Sequence, residues 1–224
     1  MSRSNLSDKE KTRVRLLITA TALFVLFLAI GYFTSFDAVI KVDIAFSRLF
    51  AVYRPGWLTG AMNAFSLIGY LKGGLIILAL AAVALAALKL WREALFLFLT
   101  LGVLPITEFF KFVFARPRPT AALIDFKPVA AAGPSYPSGH AAFSAAAFGF
   151  MIFLAWRLLS GRKKIWLIAP LAALILAVAA SRIYLGAHFL TDVIGGLLLG
   201  TAWALALGAA YIFFQSRGKN RRGE

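Results

Sequence analysis

The sequence predicts an all-α fold: a bundle of six transmembrane helices, with short helices lying along its outer interface and both termini in the cytoplasm. Three observations carry that reading. Hydrophobic residues make up 61% of the 224 positions and charged residues only 15%, whereas a soluble domain is roughly half apolar. The apolar residues fall in runs close to the about 20 residues that cross a hydrocarbon layer as a helix. The basic residues cluster at the ends of those runs, so the formal charge of +15 is placed to meet anionic headgroups and the insertion machinery rather than nucleic acid. The absence of cysteine excludes disulfides and thiolate metal sites.

The first run, Leu16 to Phe33, has a basic flank like a signal peptide but is long and lacks a small-x-small cleavage site, so it reads as an uncleaved anchor. The others are Leu71 to Leu88, Ala94 to Phe114, His140 to Leu159, Ile165 to Ala180 and Ala187 to Phe214. Six spans put both termini on one side. The segments on that side hold 15 of the 24 Lys and Arg, which by the positive-inside rule makes them cytoplasmic and turns the other loops toward periplasm or exterior. Residues 34–70, aromatic and interrupted by Pro55 and several glycines, are expected to lie along the outer interface, with Tyr53, Trp57 and Tyr70 at headgroup level. Gly196 and Gly200 form a small-xxx-small pair that suits close helix packing. The chain reads as one membrane domain over 1–224, with its motif-bearing part at 111–192.

Three clusters at span ends carry the chemistry. Lys111 precedes Arg118 by seven residues in Lys111-Phe-Val-Phe-Ala-Arg116-Pro117-Arg118-Pro119. An unbroken helix would hold the two about 10 Å apart. Pro117 and Pro119 end the helix and let a guanidinium fork and an ammonium converge on one anion. Pro137-Ser138-Gly139-His140 opens the fourth span. Ser138 suits a helix cap, Gly139 admits close backbone approach, the first free amides point at an anion, and His140 can donate a proton to a leaving group. In the third cluster Ser181-Arg182 is followed by His188 and Asp192. Four residues apart on the helix opening the last span, those two share a face, so the carboxylate can accept the Nδ1 proton and free Nε2 for attack on phosphorus. Arg182 joins Lys111 and Arg118 around the phosphoryl oxygens.

Alone, each cluster has a plainer reading: snorkelling cations, a surface histidine, or a buried structural pair. Together they bring both histidines of the chain, three cations, a Ser-Gly cap and an aspartate to the ends of four consecutive spans. The clusters resemble the motifs of the type 2 phosphatidic acid phosphatase superfamily, Lys-x6-Arg-Pro, Pro-Ser-Gly-His and Ser-Arg-x5-His-x3-Asp, all complete here.

The resemblance implies catalytic roles for three residues. His188 is the nucleophile that forms a phosphohistidine, Asp192 orients it, and His140 protonates the leaving group and then activates water. Lys111, Ser138, Gly139, Arg118 and Arg182 bind the phosphate. It implies a metal-independent lipid phosphatase of the cell membrane, with no cofactor. Its partners are the bilayer and a lipid phosphate or diphosphate such as undecaprenyl diphosphate, phosphatidylglycerol phosphate or phosphatidic acid. Two alternatives stand beside hydrolysis: transfer of the phosphate to a second lipid, and a non-catalytic phospholipid-binding or transport protein. Outside the motifs, Arg116 reads as a second headgroup contact and Glu108 as a partner of Lys111. The acidic residues Asp37, Asp43, Glu108, Asp125 and Asp192 read as scattered, unlike a magnesium site.

Overall fold

A computed structural model describes residues 8–69 and 71–220. Among them it shows ten α-helices and no strand: α1 Asp8–Phe33, α2 Asp37–Arg48, α3 Gly56–Ile68, α4 Leu71–Ala87, α5 Trp91–Leu99, α6 Val103–Phe114, α7 Ala121–Ile124, α8 Gly139–Leu158, α9 Gly161–Tyr184 and α10 Leu190–Asn220. A 3-10 turn, Thr100–Gly102, joins α5 to α6, so that Trp91–Phe114 forms one 24-residue span. Tyr70, expected at headgroup level, and Arg3, Arg221 and Arg222, three of the 15 basic residues counted on the cytoplasmic side, lie outside the described residues.

Five helical segments are long and apolar enough to cross a bilayer. The sixth span differs from expectation. Helix α4 has 17 residues, about 26 Å at 1.5 Å per residue and short of a ~30 Å hydrocarbon core. It qualifies only together with α3, from which it is bent by 50°. Helix α3, from the segment expected at the interface, thus joins α4 in a bent apolar pair with the form of a broken span or a re-entrant loop. Tyr53 and Trp57, 65% and 71% exposed, sit just before and at the start of that helix, where a membrane interface suits amphipathic rings.

The bundle is built around α8. Within its apolar window 61% of residues are buried, against 17% in α1 and 22% in α9, so α8 is wrapped by protein while the others turn a side to lipid. Its composition explains this. Ala141, Ala142, Ala145, Ala146 and Ala147 are all nearly inaccessible, and small side chains let neighbouring backbones approach. A Cβ on Gly196 of α10 would meet the Ser138 carbonyl oxygen at 2.5 Å, and one on Gly200 would overlap that of Ala142 more closely still. Phe27, Phe143, Phe148, Phe150, Tyr211 and Ile212 fill the space between α1, α8 and α10. On the outer face of α6 the Phe112 residue is 83% exposed, a position that lipid tails solvate.

At the end of the bundle where α8 and α10 begin, the connections fold over the helix ends. The Arg54 guanidinium donates to the Tyr184 carbonyl at 2.6 Å and lies 3.9 Å over the Phe126 ring. Arg48 pairs with Asp125 at 3.0 Å. These contacts tie the α2–α3 connection to the α7–α8 loop and to the end of α9.

Candidate active site

Three chain reversals assemble the site. Helix α6 stops at Phe114, where Ala115 takes a left-handed conformation with φ +46°. It therefore ends before the prolines, whose neighbours Arg116 and Arg118 disfavour helical ψ. Helix α8 starts at Gly139 with Ser138 in extended conformation at its N-cap. Between α9 and α10 the chain turns through Gly186 at φ +68°, where a Cβ would press within 3.0 Å of Ile124, Phe126 and Pro128. Only glycine fits that backbone without strain or collision, and the turn it makes carries His188.

The reversals enclose a cavity of about 450 Å³ lined by Lys111, Arg118, Gly139, His140, Arg182 and His188, with Asn63 and Ser66 of α3 and residues 129–132 closing it. The sequence clusters, drawn from 111–192, thus meet around one space. Lys111 reaches it while pairing with Glu108 at 2.7 Å, as the helical spacing predicted. Arg118 is held by the carbonyls of Gly133 at 2.8 Å, Ala132 at 3.0 Å and Ala187 at 2.7 Å. Arg182 donates through Nη1 to the Ser66 hydroxyl, while its Nε is buried without a partner.

Ser138 stands at the cap position but makes no capping bond; its Oγ is fully buried and unpartnered. Its backbone N–H donates instead to the Asp192 carbonyl at 2.9 Å, so this serine joins α8 to α10. An unsatisfied buried hydroxyl and an unsatisfied guanidinium N–H are costly. Beside three cations and the open amides of the α8 N-terminus, both suit an oxyanion. Ser181, by contrast, spends its hydroxyl on the Val178 carbonyl at 2.7 Å.

His188 differs from expectation in two respects. It lies in the turn before α10, not on the helix. Its Nδ1 donates to the Ser135 carbonyl at 2.8 Å, while the Asp192 carboxylate is 3.8 Å away, too far for a hydrogen bond. The backbone carbonyl therefore sets the tautomer. Nε2 is left as an acceptor, 3.2 Å from Arg118 Nη1. Burial pushes the His188 pKa down to about 4, against the pull of Asp192 and with the push of Arg118 and Arg182. The imidazole is thus neutral near pH 7 and offers a lone pair to the cavity.

Asp192 is nonetheless coupled to His188. Its Oδ2 accepts the Ser135 hydroxyl at 2.5 Å and the Phe189 N–H at 2.8 Å, and its Oδ1 accepts Arg116 Nη1 at 2.5 Å. Arg116 is no headgroup contact: it is 5% exposed and bridges Asp192 to Asp43. Its two carboxylates outweigh the opposing effect of burial and hold the guanidinium above its ordinary pKa. Two of the acidic residues read as scattered thus converge. Ser135, Asp43 and Ser66 were not among the sequence candidates. Ser135 lies within reach of the Pro-Ser-Gly-His motif, but its role is a backbone carbonyl and is independent of residue type. Asp43 carries no local motif at all.

A family model described as the PAP2 superfamily matches residues 91–218, more than half of the chain and all three clusters. The chain belongs to the PAP2 superfamily. It is 29% identical over 188 residues to phosphatidylglycerophosphatase B of Bacillus subtilis (strain 168), covering 80% of this chain and 88% of that protein. Its fold also matches the crystal structure of a transmembrane PAP2 type phosphatidylglycerolphosphate phosphatase from Bacillus subtilis, with a TM-score of 0.74, 26% identity, and coverage of 92% and 98% of the two chains. This PAP2 member is accordingly a multi-pass membrane lipid phosphatase, and the cavity is its candidate active site.

Proposed function

We propose that the chain hydrolyses the terminal phosphate of phosphatidylglycerol phosphate through a phosphohistidine on His188, without a metal ion. The carrying observation is the meeting of a neutral, Nδ1-tethered His188 with Lys111, Arg118 and Arg182 around one cavity. The choice of lipid rests on the relatives' names.

The steps follow from the placement. The three cations, the Ser138 hydroxyl and the α8 amides hold the phosphoryl oxygens, displacing Arg118 from the Nε2 lone pair. Nε2 attacks phosphorus as the P–O bond to the glycerol breaks, and His140, which takes up a proton when the anionic phosphate binds beside it, gives that proton to the departing oxygen and is left neutral. Neutral His140 then takes a proton from water, whose oxygen attacks the phosphohistidine; the N–P bond breaks and inorganic phosphate leaves. The positive charge borne by His188 in between faces Asp192, through Ser135 and across 3.8 Å. The charge on the phosphoryl group is met by side chains and amides, and among the described residues lining the cavity none is a carboxylate. The distribution of basic residues supports a site that opens on the periplasmic or exterior face.

Phosphate release is measured from phosphatidylglycerol phosphate, phosphatidic acid and undecaprenyl diphosphate in detergent with excess chelator. Release by the wild-type chain, highest on the first lipid and lost in His188→Ala, is expected. A strict need for added divalent ion, or a fully active His188→Ala chain, sinks the mechanism.

A further inference from the structure

Outside the residues matched by the family model, α2 sends a carboxylate to Arg116, the partner of Asp192. Asp43 of α2 is 0% exposed. Its Oδ2 accepts Arg116 Nη2 at 2.7 Å and the Thr191 hydroxyl, and its Oδ1 accepts the Thr191 N–H at 3.0 Å. Arg116 Nη1 donates both to Asp192 at 2.5 Å and to the Thr191 hydroxyl at 2.8 Å. The Phe189 ring covers the guanidinium at 4.8 Å. One guanidinium is thus divided between two buried carboxylates. The second carboxylate turns its remaining oxygen to the Ser135 hydroxyl and the Phe189 N–H, and the Ser135 carbonyl accepts His188 Nδ1.

We propose that Asp43 is a positioning residue of the reaction: by sharing Arg116 and clamping Thr191, it aims Asp192 at the Ser135–His188 pair and keeps that carboxylate incompletely neutralised. This rests on His188 as nucleophile. Asp43, Arg116 and Asp192 together carry one net negative charge. A lone Arg116–Asp192 pair would carry none, and would oppose less the charge His188 acquires as Nε2 bonds to phosphorus. Stability alone does not call for the arrangement, since a buried ion cluster is often matched by apolar packing. What the second carboxylate adds is a field at the imidazole.

Asp43→Asn keeps the shape and the Oδ1 acceptor for Thr191 while removing the charge. Two readouts are compared with wild type: phosphate release from phosphatidylglycerol phosphate, and the His188 protonation midpoint by 15N NMR. The spectra use His140→Asn backgrounds, in which His188 is the sole histidine. The charged and titratable groups facing His188 are Asp192 of α10, Arg118 of the turn after α6, Arg182 of α9 and, across the cavity, Lys111 and His140; His140 is replaced alike in both spectra, and none of the others is altered. Expected are a kcat lower by about tenfold or more with KM within about twofold, and a midpoint shifted downward. An unchanged kcat overturns the proposal. So does a lower kcat with an unmoved midpoint, the mark of a merely structural role. If Asp43→Asn does not fold, Asp43→Ser, with room for water, takes its place; failure of both to fold assigns Asp43 to folding and overturns the proposal. Release by wild type but not by His188→Ala, with Asp43→Asn equal to wild type, sinks this inference alone. No release by wild type sinks the functional reading instead, and the midpoint then decides the link from Asp43 to His188.

Discussion

Ser138 shows how a residue can hold the right position and decline its usual work. At the N-cap of α8 its hydroxyl has no partner because the side chain turns to neither N2 nor N3, while its N–H is spent on Asp192. Ser138→Ala should therefore leave thermal unfolding within about 0.5 kcal/mol of wild type, against a loss of ~1 kcal/mol for an ordinary cap. KM for the lipid phosphate should rise severalfold. Parallel losses of stability and affinity would show the hydroxyl to be a cap after all. His188 supports a second expectation. Its folded pKa, about 4, lies below the ordinary 6.5, so the unfolded chain binds the extra proton first as pH falls. The stability its neutral form contributes is full above about pH 6.5 and lost as pH drops toward 4. In a His140→Asn chain the 15N spectrum should show a neutral ring protonated at Nδ1 at pH 6; a neutral ring protonated at Nε2 would contradict the tether to Ser135, and a doubly protonated ring the depressed pKa. At this scale the motifs named, by type and spacing, six residues that line the cavity: Lys111, Arg118, Gly139, His140, Arg182 and His188. They missed the Ser135 carbonyl, because a backbone acceptor leaves no trace in residue identity.

Among the elements, the α8–α10 pair and the α9–α10 turn set the geometry. Gly200 lies so close to the Ala142 carbonyl that Gly200→Val must separate the two helices that carry His140 and Asp192. A loss of about 1–3 kcal/mol of stability is expected, with a fall in kcat, read by thermal unfolding in detergent and phosphate release. A stable and fully active variant would refute the close packing. Gly186→Ala is expected to act differently: the strained turn and the collision with Ile124 and Phe126 displace His188, so activity should fall more than stability. The small-xxx-small pattern made the first contact legible. The α3–α4 bend was not legible, because hydropathy measures the apolarity of a run and is silent on where a helix changes direction against α9. The end of α6 at Ala115, ahead of the prolines, shows the same limit: prolines announce that a helix stops, and local backbone geometry chooses the residue.

For the whole molecule, topology is the open quantity, and the cysteine-free sequence makes it measurable. A single cysteine replacing exposed Lys127, in the loop before α8, should react with an impermeant thiol reagent in intact cells. One replacing exposed Ser160, between α8 and α9, should react only after permeabilisation. The reverse pattern would invert the bundle and place the site toward the cytoplasm. Composition, run length and charge placement determined that the chain is a helical membrane bundle, because a bilayer requires every span to satisfy its own backbone and to be apolar for about 20 residues. Motif spacing determined which residues gather, since chemistry on phosphate needs those side chains whatever surrounds them. Only the tertiary structure decided how they are held. His188 is held by Ser135, 53 residues away, and Asp192 by Arg116, 76 residues away, which is in turn shared with Asp43 of α2. Nothing in a local stretch of sequence records which distant buried charge will share a guanidinium.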